Sequence, residues 1–177
     1  MRSATAPPAE AESPSVSTSP LVAGAALFMV GGAVHLLIGV LTPILFDPTA
    51  GRLLFLSLQT DTALYGAAPR TLLAADPALV QLRSTVFTAL AGLLAGLGIL
   101  ELTVAWFGVR AGRRWAVVAL IVSGTAMLPF WVVVLRPYLA AGIPVGLGDI
   151  PPFIWVPTAL LLPATVLSVV GVARVRP

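Results

Sequence analysis

The stretch Asp76–Arg114, DPALVQLRSTVFTALAGLLAGLGILELTVAWFGVRAGRR, constrains this chain more than any other. Asp76 can accept from the free N–H groups of a helix start, and Pro77 at the first helical position gives up no hydrogen bond. The sequence then turns predominantly apolar as far as Phe107, interrupted by a single acid, Glu101, and closes on a turn with Arg110, Arg113 and Arg114. A helix from Pro77 to Gly108 rises roughly 48 Å, more than a hydrocarbon core of about 30 Å requires. Its first turns therefore belong in an interface and its remainder inside the bilayer, where it is expected to be the main post of whatever bundle forms.

Apolar runs of about 18 or more residues occur in three further places. The chain is 58% hydrophobic and 10% charged. A soluble domain carries about 25% charged residues, so this one lacks the polar surface to cover itself in water. The expected fold is an all-α membrane protein, a four-transmembrane-helix bundle with spans at about 21–46, 82–108, 115–136 and 152–172. These make one transmembrane domain over residues 20–177. Between spans 1 and 2 the segment GRLLFLSLQTDTALYG is too short to cross and has no strict period, which predicts an interfacial helical segment or a cap. Asp61, Tyr65, Arg70 and Asp76 are placed to cross-pair over that end of the bundle. Residues 1–19, rich in Pro, Ser, Ala and Thr, cannot bury enough apolar surface to offset their ordering entropy and read as a disordered tail. A lone Arg2 and the long apolar run after Pro20 do not make a signal peptide.

Orientation follows from arginine. All ten basic residues are Arg, and there is no Cys. With four spans, Arg2, Arg110, Arg113, Arg114, Arg174 and Arg176 share one side, while Arg52, Arg70, Arg83 and Arg136 are spread over the other. The positive-inside rule then puts both termini in the cytoplasm of a multi-pass protein of the cell inner (plasma) membrane. Trp106, Phe107 and Trp115 supply an aromatic belt on the inner side, and Phe130, Trp131, Tyr138, Phe153 and Trp155 supply one on the outer. The net charge of +3 thus reads as orientation rather than nucleic-acid binding. Lack of Cys excludes a disulfide, a thiolate nucleophile and a Cys metal site. Exclusive use of Arg in an Ala-rich chain fits a GC-rich bacterial genome.

Polar residues inside the spans are the candidate sites. An intramembrane acid is costly when charged and lipid-facing, so Glu101 should face the bundle, with Thr165 and Ser168 of span 4 level with it. His35 falls near the midplane of span 1, level with Thr125 and Met127 of span 3. His35, Glu101 and Thr125 are the ligand-binding or proton-linked candidates. Counted from the span centres, Glu101 lies roughly 10 Å from His35 in depth, too far for direct contact. No second His exists, so no haem or metal site is expected. No catalytic residue or cofactor site is assigned either, since no phosphate loop, zinc pattern or nucleophile with an adjacent base occurs. Pro43, Pro129, Pro157 and Pro163 lie in the outer or middle parts of three spans. The plainer reading is routine tolerance of Pro in membrane helices, and the alternative is that kinks in three helices open an outward-facing cavity above His35. Gly24, Gly31, Gly32 and Gly39 form a close-packing face on span 1, and Gly92 and Gly96, flanked by Ala91 and Ala95, form a second on span 2.

The long first extramembrane segment, the acid on the second span (Glu101) and the Pro/aromatic lead-in to the fourth (DIPPFIWVP) give a layout that resembles the EXPERA group of four-helix sterol isomerases and receptors. The resemblance is one of layout and assigns no site residue. The expected role is that of a non-enzymatic accessory subunit or a lipid- or apolar-ligand-binding bundle. The alternatives are a small oligomeric, proton-coupled transporter using Glu101 and His35, and a membrane-embedded lipid-modifying enzyme. Membrane lipids are the expected partners, with a larger membrane complex or a homo-oligomer built on the small-residue faces, and no nucleic acid.

Overall fold

The computed structural model describes residues 20–46 and 56–174, and its regular elements are all helical. The tail over residues 1–19 lies outside the described residues, as do Leu53, Leu54 and Phe55 of the first connection. Helix α1 (Pro20–Leu41) runs on into a wider, π-type turn at Thr42–Phe46. Pro43 has no N–H to give, so the regular i→i−4 ladder stops there. Two short helices follow, α2 (Leu58–Tyr65) and α3 (Pro69–Ala74). Ser57 caps α2 by accepting from the Thr60 N–H, and Gly66, at a left-handed φ of 72°, ends it.

Helix α4 (Pro77–Thr103) starts as the sequence dictates, with the Asp76 carboxylate accepting from the Ala78 N–H at 2.8 Å. It continues through π-type turns at Val104–Val109. The third span is α5 (Arg114–Ala126) and α6 (Leu128–Ala140), broken at Met127 just before Pro129. It runs past the expected end at Arg136, because Pro137 near a helix terminus removes only one bond. Helix α7 (Pro152–Arg174) stays continuous through Pro157 and Pro163. Four helical stretches, Pro20–Ile44, Pro77–Val109, Arg114–Ala140 and Pro152–Arg174, are long and apolar enough to cross a membrane. The end carrying Arg110 is called the basic end below, and the end carrying α2 and α3 the cap end.

The central post is α1, not the longer α4 as expected: α1 packs along α4 on one side and along α7 on the other. Its glycines explain why. Gly32 and Gly39 admit the α4 backbone, and Gly24 admits α7. The partners reciprocate: a Cβ on Gly98 would meet the backbone of Leu36 and Gly32, and one on Gly171 would meet Leu21. Gly92 and Gly96 have nothing within 4 Å, so the expected small-residue step on span 2 is not the contact. The α4 stripe in use is Ala91, Ala95 and Gly98, one face of the helix, with Gly92 and Gly96 turned about 100° from it.

A core of Leu21, Ala25, Phe28, Ala105, Val109, Ala116, Val117, Leu120 and Ala164 fills the half of the bundle nearer the basic end. There α5 comes close to the end of α4 because Gly108 leaves room for the Ala116 methyl. Beyond Met127 the third span parts from the others: α6 makes its close backbone approaches to α5 and to the cap helix α2 rather than along α1 or α4. The bundle is therefore tight at the basic end and looser toward the cap.

Candidate functional site

His35 and Glu101 meet. The expected 10 Å of depth between them is overturned: His35 Nδ1 lies 2.8 Å from Glu101 Oε2, with 7% and 13% of the two side chains exposed. Two features close the gap. First, Gly98 packs against Leu36 and Gly32, so His35 is level with the α4 turn just before Glu101 and only about one turn of depth remains. Second, the helices are antiparallel, and side chains lean toward their own helix N-terminus. His35 leans toward the basic end and Glu101 toward the cap end, so each covers part of the last turn. Gly32, three residues before His35, completes the arrangement. Its Cα lies against the Glu101 stem, where a Cβ would stand 3.0 Å from the Glu101 Cβ.

The pair lines a cavity of about 80 Å³. Its closed end is the core, through Phe28 and Leu120, and toward the cap it is walled by Met127, Trp131, Phe153 and Pro157. It lies beside His35 toward the cap, where the alternative reading of the prolines places one; the break before Pro129 and the Pro157 ring both border it. The ring's second nitrogen, Nε2, makes no hydrogen bond among the described residues, and it is not sealed in either: Ser168 Oγ is the buried side-chain atom left without a partner there. His35 lines the cavity beside Glu101. With Nδ1–H donating to the carboxylate, a neutral ring offers Nε2 as an acceptor and a protonated ring offers it as a donor.

Thr125 is not brought to this site. It is exposed, and its hydroxyl donates back to the Ile121 carbonyl at 2.6 Å. Its level was read correctly but its face was not, since Gly124 and Met127 line the cavity instead. Ser168, expected opposite Glu101, is packed onto the Gly24 backbone. The residues that sequence reasoning missed are Gly32, Gly98 and Trp131. The first two were legible as glycines at helical spacing from His35 and Glu101.

A second polar group closes the cap end. Asp61 is fully buried and accepts from the Tyr138 hydroxyl at 2.8 Å, tying α2 to α6. Asp149, in the connection between spans 3 and 4, accepts from Ser57 Oγ at 2.6 Å, Thr60 Oγ1 at 2.8 Å and the Gly146 N–H at 2.8 Å. These donors, Ser57 foremost, hold its carboxyl below the usual carboxylate range. Of the cross-pairing expected there, Asp76 is spent on its helix cap and Asp61 pairs across to Tyr138. No group of three His, Cys, Asp or Glu side chains lies together among the described residues. Comparison with models of protein families, with curated proteins and with solved structures found no match.

Proposed function

We propose that this is a non-enzymatic binding protein of the plasma membrane, with both termini cytoplasmic, that holds an apolar molecule by one hydrogen-bonding head. The observation that carries this reading is a hydrogen-bonded His35–Glu101 pair lining a mostly apolar cavity, with no hydrogen bond to Nε2 among the described residues. A binding site built of apolar walls and one or two fixed polar groups takes its orientation and specificity from those groups. At about 80 Å³ the cavity is smaller than the roughly 150 Å³ that accepts benzene. It suits a hydroxyl or carbonyl head, with the apolar body lying outward between the spans. A proton-coupled carrier would need a polar path past the pair, and a lining mostly of Leu, Phe, Met, Trp and Pro, with the Thr158 hydroxyl spent on the Ile154 carbonyl, gives that reading less support.

One observation favours a second reading. A His ring oriented by a carboxylate, with its other nitrogen free, is also a general acid–base arrangement, as a lipid-modifying enzyme would need. Mass spectrometry of the protein purified with native lipid tests both. A neutral amphiphile should co-purify near stoichiometrically and be lost from His35→Phe but not from Thr125→Val. Recovery of wild type as a ligand-free monomer, or equal retention by His35→Phe, would refute binding. Chemical conversion of the retained amphiphile that stops in Glu101→Gln would establish the enzyme instead.

A further inference from the structure

A groove separate from the His35 cavity runs down the lipid-facing surface between α1 and α4 toward the basic end. Its volume is about 540 Å³, and its walls are Val22, Ala26, Met29 and Ala33 of α1 with Leu102 in α4's last turn and Trp106 just beyond it. Arg110 stands at its mouth, its guanidinium 4.4 Å from the centre of the Trp106 ring. Stacking holds the cation over the ring face, and a guanidinium so held keeps its N–H donors for an anion.

Charge decides the occupant. The basic end holds Arg110, Arg113, Arg114 and Arg174 and no acid among the described residues, whose acids are Asp61, Asp76 and Asp149 at the cap and Glu101 within the bundle. An apolar trough that ends under an arginine with no acid beside it among the described residues matches a molecule with an acyl chain and an anionic head. A second groove repeats the pattern between α5 and α7: about 290 Å³, lined by Val117, Val118, Ile121 and Val169, with Arg114 at its mouth. We propose that the α1–α4 groove is a selective site for an anionic phospholipid of the leaflet at the basic end, its chain along Ala26 and Ala33 and its phosphate on Arg110. Basic pockets between spans bind lipid head groups in this way, and one arginine near the surface is worth about 1 kcal/mol, or fivefold. The inference is independent of the ligand proposed for His35, which is neutral and lies on the other face of α1.

The test is native mass spectrometry of the full chain in detergent with phosphatidylglycerol and phosphatidylcholine at equal mole fraction. Wild type should retain phosphatidylglycerol over phosphatidylcholine about fivefold or more. Arg110→Gln should reduce that preference about fivefold, and Ala26→Phe with Ala33→Phe should remove the bound lipid by filling the trough. Arg113→Gln, in the same turn but lining neither groove, should leave both unchanged. Equal losses in Arg110→Gln and Arg113→Gln would reduce the effect to general surface charge and overturn the site. So would no preference in wild type, or a lipid-free dimer with this face covered by a second copy. Arg110 and the two alanines are exposed or half-exposed, so these variants leave the core intact.

Discussion

At the scale of single residues, the His35–Glu101 contact is a hydrogen bond of 2.8 Å. His35 is nearly buried, and its Nδ1–H has one acceptor, Glu101 Oε2. Glu101→Gln keeps an acceptor oxygen at the same reach, so unfolding in mixed micelles should change by no more than the roughly 0.6 kcal/mol typical of interhelical hydrogen bonds. Glu101→Leu strands the N–H and should cost about 1–3 kcal/mol, the penalty for an unmade buried bond. If Gln proves as damaging as Leu, the charge and not the hydrogen bond holds the pair. If neither variant moves the unfolding midpoint, the contact does not form.

At the scale of elements, the sequence carried the helices better than their mutual register. Length and hydropathy marked the four helical stretches long and apolar enough to cross a membrane, Asp76–Pro77 marked the start of α4, and Pro129 marked the break between α5 and α6. Register was lost because span centres were aligned by counting, whereas the helices are aligned by where backbone can touch backbone. The stripe Ala91–Ala95–Gly98 meets Gly39 and Gly32, moving Glu101 toward His35. Gly92 and Gly96 looked like the better motif because spacing alone does not say which face a helix turns inward. Substitution separates the two stripes. Gly98→Ala drives a methyl into the Leu36 and Gly32 backbone and should cost about 1–3 kcal/mol as overpacking. Gly92→Ala and Gly96→Ala meet open space and should be neutral or slightly stabilising, since Ala is the better helix former. Equal effects at positions 92 and 98 would mean that α4 is rotated about its axis from the packing described.

At the scale of the whole molecule, the two ends differ in kind, and the proposed orientation rests on that difference. The cap end ties both of its connections together through Tyr138–Asp61 and through Asp149 with Ser57 and Thr60. Among the described residues its arginines, Arg70, Arg83 and Arg136, stand with the aspartates Asp61, Asp76 and Asp149, and Arg83 lies over the Phe87 ring at 4.6 Å. Among the described residues the basic end has a short turn, held by the Gly112 N–H donating to the Val109 carbonyl at 2.8 Å, and arginines without acids beside them. Short connections rich in arginine are the ones retained in the cytoplasm. The chain has no Cys, so single-cysteine variants report position without background. Thr71→Cys on α3 and Ala111→Cys in the basic turn are both exposed sites. On intact cells an impermeant maleimide should label the cysteine at 71 and reach the one at 111 only after permeabilisation. The reverse pattern would invert the molecule, opening the His35 cavity toward the cytoplasmic leaflet and setting Arg110 in the outer one, where anionic lipid is scarce. Orientation therefore decides at once which leaflet feeds each of the two proposed sites.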